Sequence, residues 1–95
     1  MKVVIEQEAL DELDEIYAWI ARDDPVSADT INNRIYDYVE RLARLPLLGH
    51  QGRAPNTFEW GVRKSSHVVV YKIDSDSKEL IVIGVFSGSQ DIRRP

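Results

Sequence analysis

The sequence predicts an α+β fold of the order β-α-α-β-β-β: an N-terminal strand, an antiparallel helical hairpin, and a three-stranded antiparallel meander closing one curved sheet. Three observations predict it. Apolar residues recur at three- and four-residue steps through the first half, an Asp-Pro pair interrupts that half, and the second half carries β-branched runs separated by polar turns. At 95 residues the chain has material for one core, since single domains typically need about 100 to 150 residues. The 1–95 span is therefore one domain, and its 43% apolar and 29% charged content predicts that it folds.

Each element has a local cause. Lys2 to Glu6 centres on Val3, Val4 and Ile5, β-branched and short, which predicts a strand. From Glu8 the positions Leu10, Leu13, Ile16, Tyr17 and Ile20 share a helical stripe running to about Ala21. Acids crowd its N-terminal half (Glu8, Asp11, Glu12, Asp14 and Glu15), where the helix dipole favours anions, so they read as a solvated face. Asp24 can cap a second helix that Pro25 begins, because the donor proline lacks would be an orphan there. Ala28, Ile31, Ile35, Tyr38, Val39, Leu42 and Leu45 continue the spacing until Pro46 stops it. Residues 46–58, rich in Gly and Pro, predict an ordered surface loop. Strands follow at Glu59 to Ser65, His67 to Asp74 and Glu79 to Phe86, the last two joined by the polar turn Asp74 to Lys78.

Composition excludes several functions. There is no cysteine and only two histidines, His50 and His67, so neither a disulfide nor a structural metal site is expected, and no cofactor motif is present. No apolar run reaches the roughly 20 residues of a membrane span, and the N-terminus has no signal-like apolar stretch; a cytoplasmic protein is expected. A net charge of −4 opposes broad contact with nucleic acid phosphates, so direct sequence-specific nucleic acid binding is not expected. The charge is uneven: residues 1–24 hold eight acids and two bases, residues 49–95 five acids and seven bases. A local cationic site in the second half is compatible with that balance.

Catalytic motifs are absent: there is no P-loop, Gly-x-Gly-x-x-Gly, His-Glu-x-x-His or Gly-x-Ser-x-Gly. The cationic candidates are Arg53, Arg63 and Lys64, with Trp60 beside them as a flat apolar surface, and the terminal Gln90, Arg93 and Arg94. Trp60 at a strand edge with an Arg nearby is more often a packing contact with a snorkelling cation than a recognition site. Val68 to Tyr71 and Leu80 to Ile83 are apolar at odd and even positions alike, so both sheet faces want cover while one hairpin covers only one. Val69, Tyr71, Ile81 and Ile83, or their alternates, are left to the loop, the termini or another polypeptide.

These residues together resemble the ParE/RelE superfamily of type II toxins, its ParE branch in particular. The likeness covers nearly the whole chain. It runs through Glu8-Ala9 with Leu13, Ile16 and Ile20, Asp24-Pro25 with Ala28, then Ile31, Ile35, Val39, Leu42 and Leu45-Pro46. It continues in Leu48-Gly49, Gly52-Arg53, Gly61-Val62-Arg63 where the family tends to have Gly-Thr-Arg, Val70-Tyr71 and Gly88-Ser89-Gln90-Asp91. The resemblance implies a toxin held in a hetero-oligomer by a ParD-like antitoxin, whose partly disordered segment folds along the toxin and onto the uncovered sheet face at Val69, Tyr71, Ile81 and Ile83.

For the target, the resemblance allows DNA gyrase, as for ParE-like members, or ribosome-bound mRNA, as for RelE-like nucleases. Metal-free RNA cleavage needs cations on the phosphate and groups that move protons, which Arg63, Lys64 and His67 would have to supply. The final strand instead carries Gly84 where related toxins often have arginine and Ser87 where many have histidine. With the acidic balance, this points to a non-enzymatic gyrase poison contacting its target through Arg53, Trp60, Arg63, Gln90, Arg93 and Arg94. A decayed toxin that only binds antitoxins is the third alternative.

Overall fold

Asp24 and Pro25 divide the helical half of the chain as their chemistry requires. The Asp24 carboxylate accepts hydrogen bonds from the Ser27 backbone N–H at 3.1 Å and its hydroxyl at 2.7 Å, and Pro25 occupies the first turn. These bonds stabilise the charged form and hold the Asp24 carboxyl below its ordinary value. The computed structural model describes residues 1–87, so Gln90, Arg93 and Arg94 lie outside the described residues. Strand β1 (Lys2–Ile5) precedes α1 (Gln7–Ala21) and α2 (Pro25–Arg44), followed by β2 (His50–Gln51), β3 (Phe58–Gly61), β4 (His67–Asp74) and β5 (Glu79–Ser87). No helix among the described residues is long and apolar enough to cross a membrane.

The sheet order is β1-β5-β4-β3-β2. The meander β3-β4-β5 is antiparallel as expected, whereas β1 pairs in parallel with β5, Lys2 opposite Glu79 through Ile5 opposite Val82, making the sheet mixed. The loop contributes a short strand of its own, β2, paired antiparallel to β3. β3 ends at Gly61, earlier than the sequence pattern predicts. Val62 N–H donates to the His67 carbonyl, Ser65 N–H donates to the Val62 carbonyl, and Lys64 takes a left-handed φ of 62°, so residues 62–66 close a tight turn.

The helical hairpin covers one sheet face. Ala9 and Leu13 of α1 and Ile35, Val39 and Leu42 of α2 pack on Val69, Tyr71, Leu80, Val82 and Val85. Full burial of each large aliphatic side chain is worth about 1.5 to 3 kcal/mol. The expectation that Val69 and Tyr71 face outward is thereby corrected, since both are 0% exposed beneath the helices. Their alternates Val68 and Val70 look outward, half-buried, with Ile81 opposite Lys72 on the same side. The odd positions of β4 are the ones that meet the helices, and β5 keeps facing them through a bulge. Tyr71 pairs with Val82 but Val70 pairs with Gly84, so Ile83 is an extra residue and the buried parity of β5 switches from even (Leu80, Val82) to odd (Val85).

Tyr71 ties this core to the long loop. Its hydroxyl donates to the Pro46 carbonyl at 2.7 Å and accepts from the Gly49 N–H at 3.1 Å. Gly49 is required for space: a Cβ there would collide with the same hydroxyl. On the outward face, Arg53 pairs with the buried Glu59 at 3.4 Å and lies 5.7 Å over the Phe86 ring, so the loop covers part of that face as well.

Two outcomes are expected. Tyr71→Phe strands a carbonyl and an N–H at the loop, costing about 1 to 3 kcal/mol, read as a lower urea midpoint at unchanged slope. His67 is buried, and loss of hydration holds its imidazole below the ordinary histidine value. The unfolded chain then binds a proton that the folded chain resists. Stability is full above the unfolded value of about 6.5 and declines as pH falls through it. The urea midpoint should drop between about pH 7.5 and 5.5, and His67→Gln should flatten that drop.

Candidate functional site

The fold separates the expected cationic site into pieces. Arg53 emerges from the loop onto the outward sheet face, where its backbone N–H also donates to Glu59 at 3.2 Å. Arg63 and Lys64 occupy the exposed turn beyond the other end of β3, held against α2 by an Arg34 guanidinium hydrogen bond to the Lys64 carbonyl at 3.2 Å. Trp60 joins neither. It pairs with Val69, packs against the core, and its indole Nε1 is buried with no hydrogen-bond partner, so the packing alternative is the observed one. Ile81 is half-buried on the outward face and Ile83 sits half-buried at the bulge. Among the described residues no cluster of three or more His, Cys, Asp or Glu could hold a metal ion.

The sequence pattern missed a groove. β1 stops opposite Val82, leaving the rest of β5 without a strand neighbour on that side among the described residues, and α1 lies across the gap. Glu12 Oε1 fills the missing place by accepting the Val85 N–H at 2.9 Å. Gly84 permits this approach, because a Cβ there would stand 3.2 Å from the same carboxylate oxygen. Beside this contact opens a groove of about 800 Å³, walled by Glu12, Glu15, Ile16 and Trp19 of α1 and by His67 and Val85 of the sheet. Trp19 is 70% exposed.

The groove has a definite electrostatic character. Two carboxylates lie along one side, and His67 closes the other with its imidazole held toward the neutral form by burial. Ser65 Oγ accepts from the His67 backbone N–H at 3.1 Å and lies 3.1 Å from Nδ1. Among the described residues no Lys or Arg lines the groove, so the part of it they form suits cationic or apolar groups better than phosphate. One signal was available in the sequence: Glu12 shares a helical stripe with Ile16 and Trp19 at steps of four and three, which places a carboxylate in line with apolar residues. Helical spacing alone does not say that this stripe meets a strand edge.

The whole arrangement has counterparts. The family described as ParE toxin of type II toxin-antitoxin system, parDE, matches residues 3–92. Y4kP of Sinorhizobium fredii, named as a candidate toxin, is 37% identical over 75 residues, spanning 79% of this chain and 78% of that protein. Among solved structures, the chromosomal ParDE system from P. aeruginosa superposes with a TM-score of 0.81 at 17% identity, covering 92% of this chain and 95% of that one. The isolated E. coli RelE toxin gives 0.70 at 14% identity, covering 97% and 88%. The structural likenesses establish the fold, and the family match over nearly the full length, with the Y4kP relationship, establishes descent: the chain belongs to the ParE toxins of type II toxin–antitoxin systems.

Proposed function

We propose that this toxin acts in the cytoplasm by binding DNA gyrase and stabilising its cleaved DNA complex, without catalysis of its own, and that a ParD-like antitoxin neutralises it in a hetero-oligomer. The match of residues 3–92 to the ParE family carries this reading. The electrostatics support it against RNA cleavage. Arg63 and Lys64 project from an exposed turn, whereas His67 is buried on the helix side next to a groove whose carboxylates repel a phosphodiester.

Arg53 and Arg63 are the target contacts proposed within the described fold, with Gln90, Arg93 and Arg94 beyond it. Arg63 is the more available of the two, because Arg53 is already engaged by Glu59 and Phe86. Trp60 serves the core. For the antitoxin, Ile81 and Ile83 remain candidates, joined by Val68 and Val70 in place of Val69 and Tyr71.

A supercoiling assay with purified gyrase and plasmid DNA tests this. Increasing toxin should inhibit supercoiling and accumulate linear cleaved DNA, and Arg63→Ala should lower the potency by about tenfold, the size of a lost charged interface contact. Absence of cleaved DNA, together with cutting of ribosome-bound mRNA that Arg63→Ala abolishes, would establish the RelE-like mechanism in its place.

A further inference from the structure

We propose that Arg34 is a positioning residue, whose hydrogen bond to the Lys64 carbonyl fixes the β3–β4 turn in the conformation that presents Arg63 to the target. The proposal rests on the reading of Arg63 as a target contact.

The turn is anchored at both ends and exposed between them. Val62 is 2% exposed and its N–H donates to the His67 carbonyl at 2.8 Å, while the buried His67 returns its own N–H to Ser65 Oγ at 3.1 Å. The Ser65 N–H donates to the Val62 carbonyl at 3.2 Å, which closes a β-turn with Arg63 and Lys64 as its two exposed corners. Of these corners only Lys64 has a positive φ, 62°, the sign pattern of a type II turn. That second corner is ordinarily glycine or asparagine, because a Cβ makes the left-handed region costly. With lysine there the local preference works against the turn, and such a conformation persists where the surrounding structure over-determines it.

Arg34 supplies that outside constraint. It stands on α2 directly before Ile35, a core residue 1% exposed, so the packing of the hairpin fixes its backbone. Its guanidinium donates to the Lys64 carbonyl at 3.2 Å, 30 residues along the chain. Among the described residues no carboxylate lies within ion-pairing distance of Arg34, so its polar engagement is with the turn's backbone. The acceptor is a carbonyl, which makes the bond sensitive to the conformation of the turn and indifferent to the side chain at position 64. Arg63 shares a peptide unit with Lys64, so fixing one corner orients the other. A cation ordered in advance binds better than a mobile one, because less freedom is lost on association.

The test uses the full chain. Backbone 15N order parameters at residues 63–65 should stand at about 0.85 in the unaltered protein and fall to about 0.6 in Arg34→Met, which keeps the alkyl stem without donors. Arg34→Lys, which keeps a donor, should restore most of that order. Order along β4 should hold in every variant, which separates a freed turn from a damaged fold. Potency is read as the induction level that halves the growth of antitoxin-free cells at matched toxin abundance. Arg34→Met should lower potency about fivefold with Arg63 in place and less than about twofold beside Arg63→Ala, because a positioning residue acts only through the residue it positions. A loss of stability, or direct contact of Arg34 with the target, gives equal effects in both backgrounds and would overturn the proposal. Unchanged order in Arg34→Met, or no growth arrest by the unaltered chain, would overturn it as well. Coupled effects from a toxin that accumulates no cleaved DNA with gyrase uphold the positioning role and refute only the choice of target.

Discussion

One helical hairpin has to serve a sheet whose two central strands are apolar on both sides. The hairpin buries the face bearing Val69, Tyr71, Val82 and Val85, and the remaining architecture follows from what it cannot reach. The opposite face is left to Val68, Val70 and Ile81, partly screened where Arg53 bridges Glu59 and Phe86. The long loop is drawn in for the same reason. Tyr71 is fully buried, so its hydroxyl needs partners, and Pro46 and Gly49 supply them.

The parallel pairing of β1 with β5 completes the layer but falls short. β1 ends at Ile5, and beyond Val82 the edge of β5 is met by a side chain, Glu12, in place of a strand. Unpaired strand edges are liabilities that folds cover or charge. Here a carboxylate from α1 accepts the Val85 N–H and places negative charge at the edge. The absence of a side chain at Gly84 lets that carboxylate approach. Acid lines the groove, while Arg63 and Lys64 stand exposed on the β3–β4 turn.

Much of the fold is legible in the residues because its causes are local. The Asp24 cap, the Pro25 start and the Pro46 stop depend on neighbours in sequence, and so do the stripes of α1 and α2. The limits of β3 were less legible, since the turn at residues 62–66 depends on a hydrogen bond from Val62 to His67 across the hairpin. Trp60 beside Arg63 reads as a recognition pair or as packing until the register with Val69 turns the indole toward the core. The acidic face of α1 reads as solvated because helical spacing cannot reveal that Glu12 lies over a strand edge 73 residues away.

The sequence by itself determined the β-α-α order ahead of a three-stranded meander, the family and the uneven charge, all properties of residue type and short-range spacing, but not the short strand β2 within the loop. Tertiary structure decided which parity of β4 and β5 is buried, how β1 closes the sheet, and that acids scattered along one helix become the wall of a groove. Two-sided apolar strands carry no internal signal of the face to be covered. A bulge at Ile83 reverses the alternation partway along β5, and its position is set by pairing with β4.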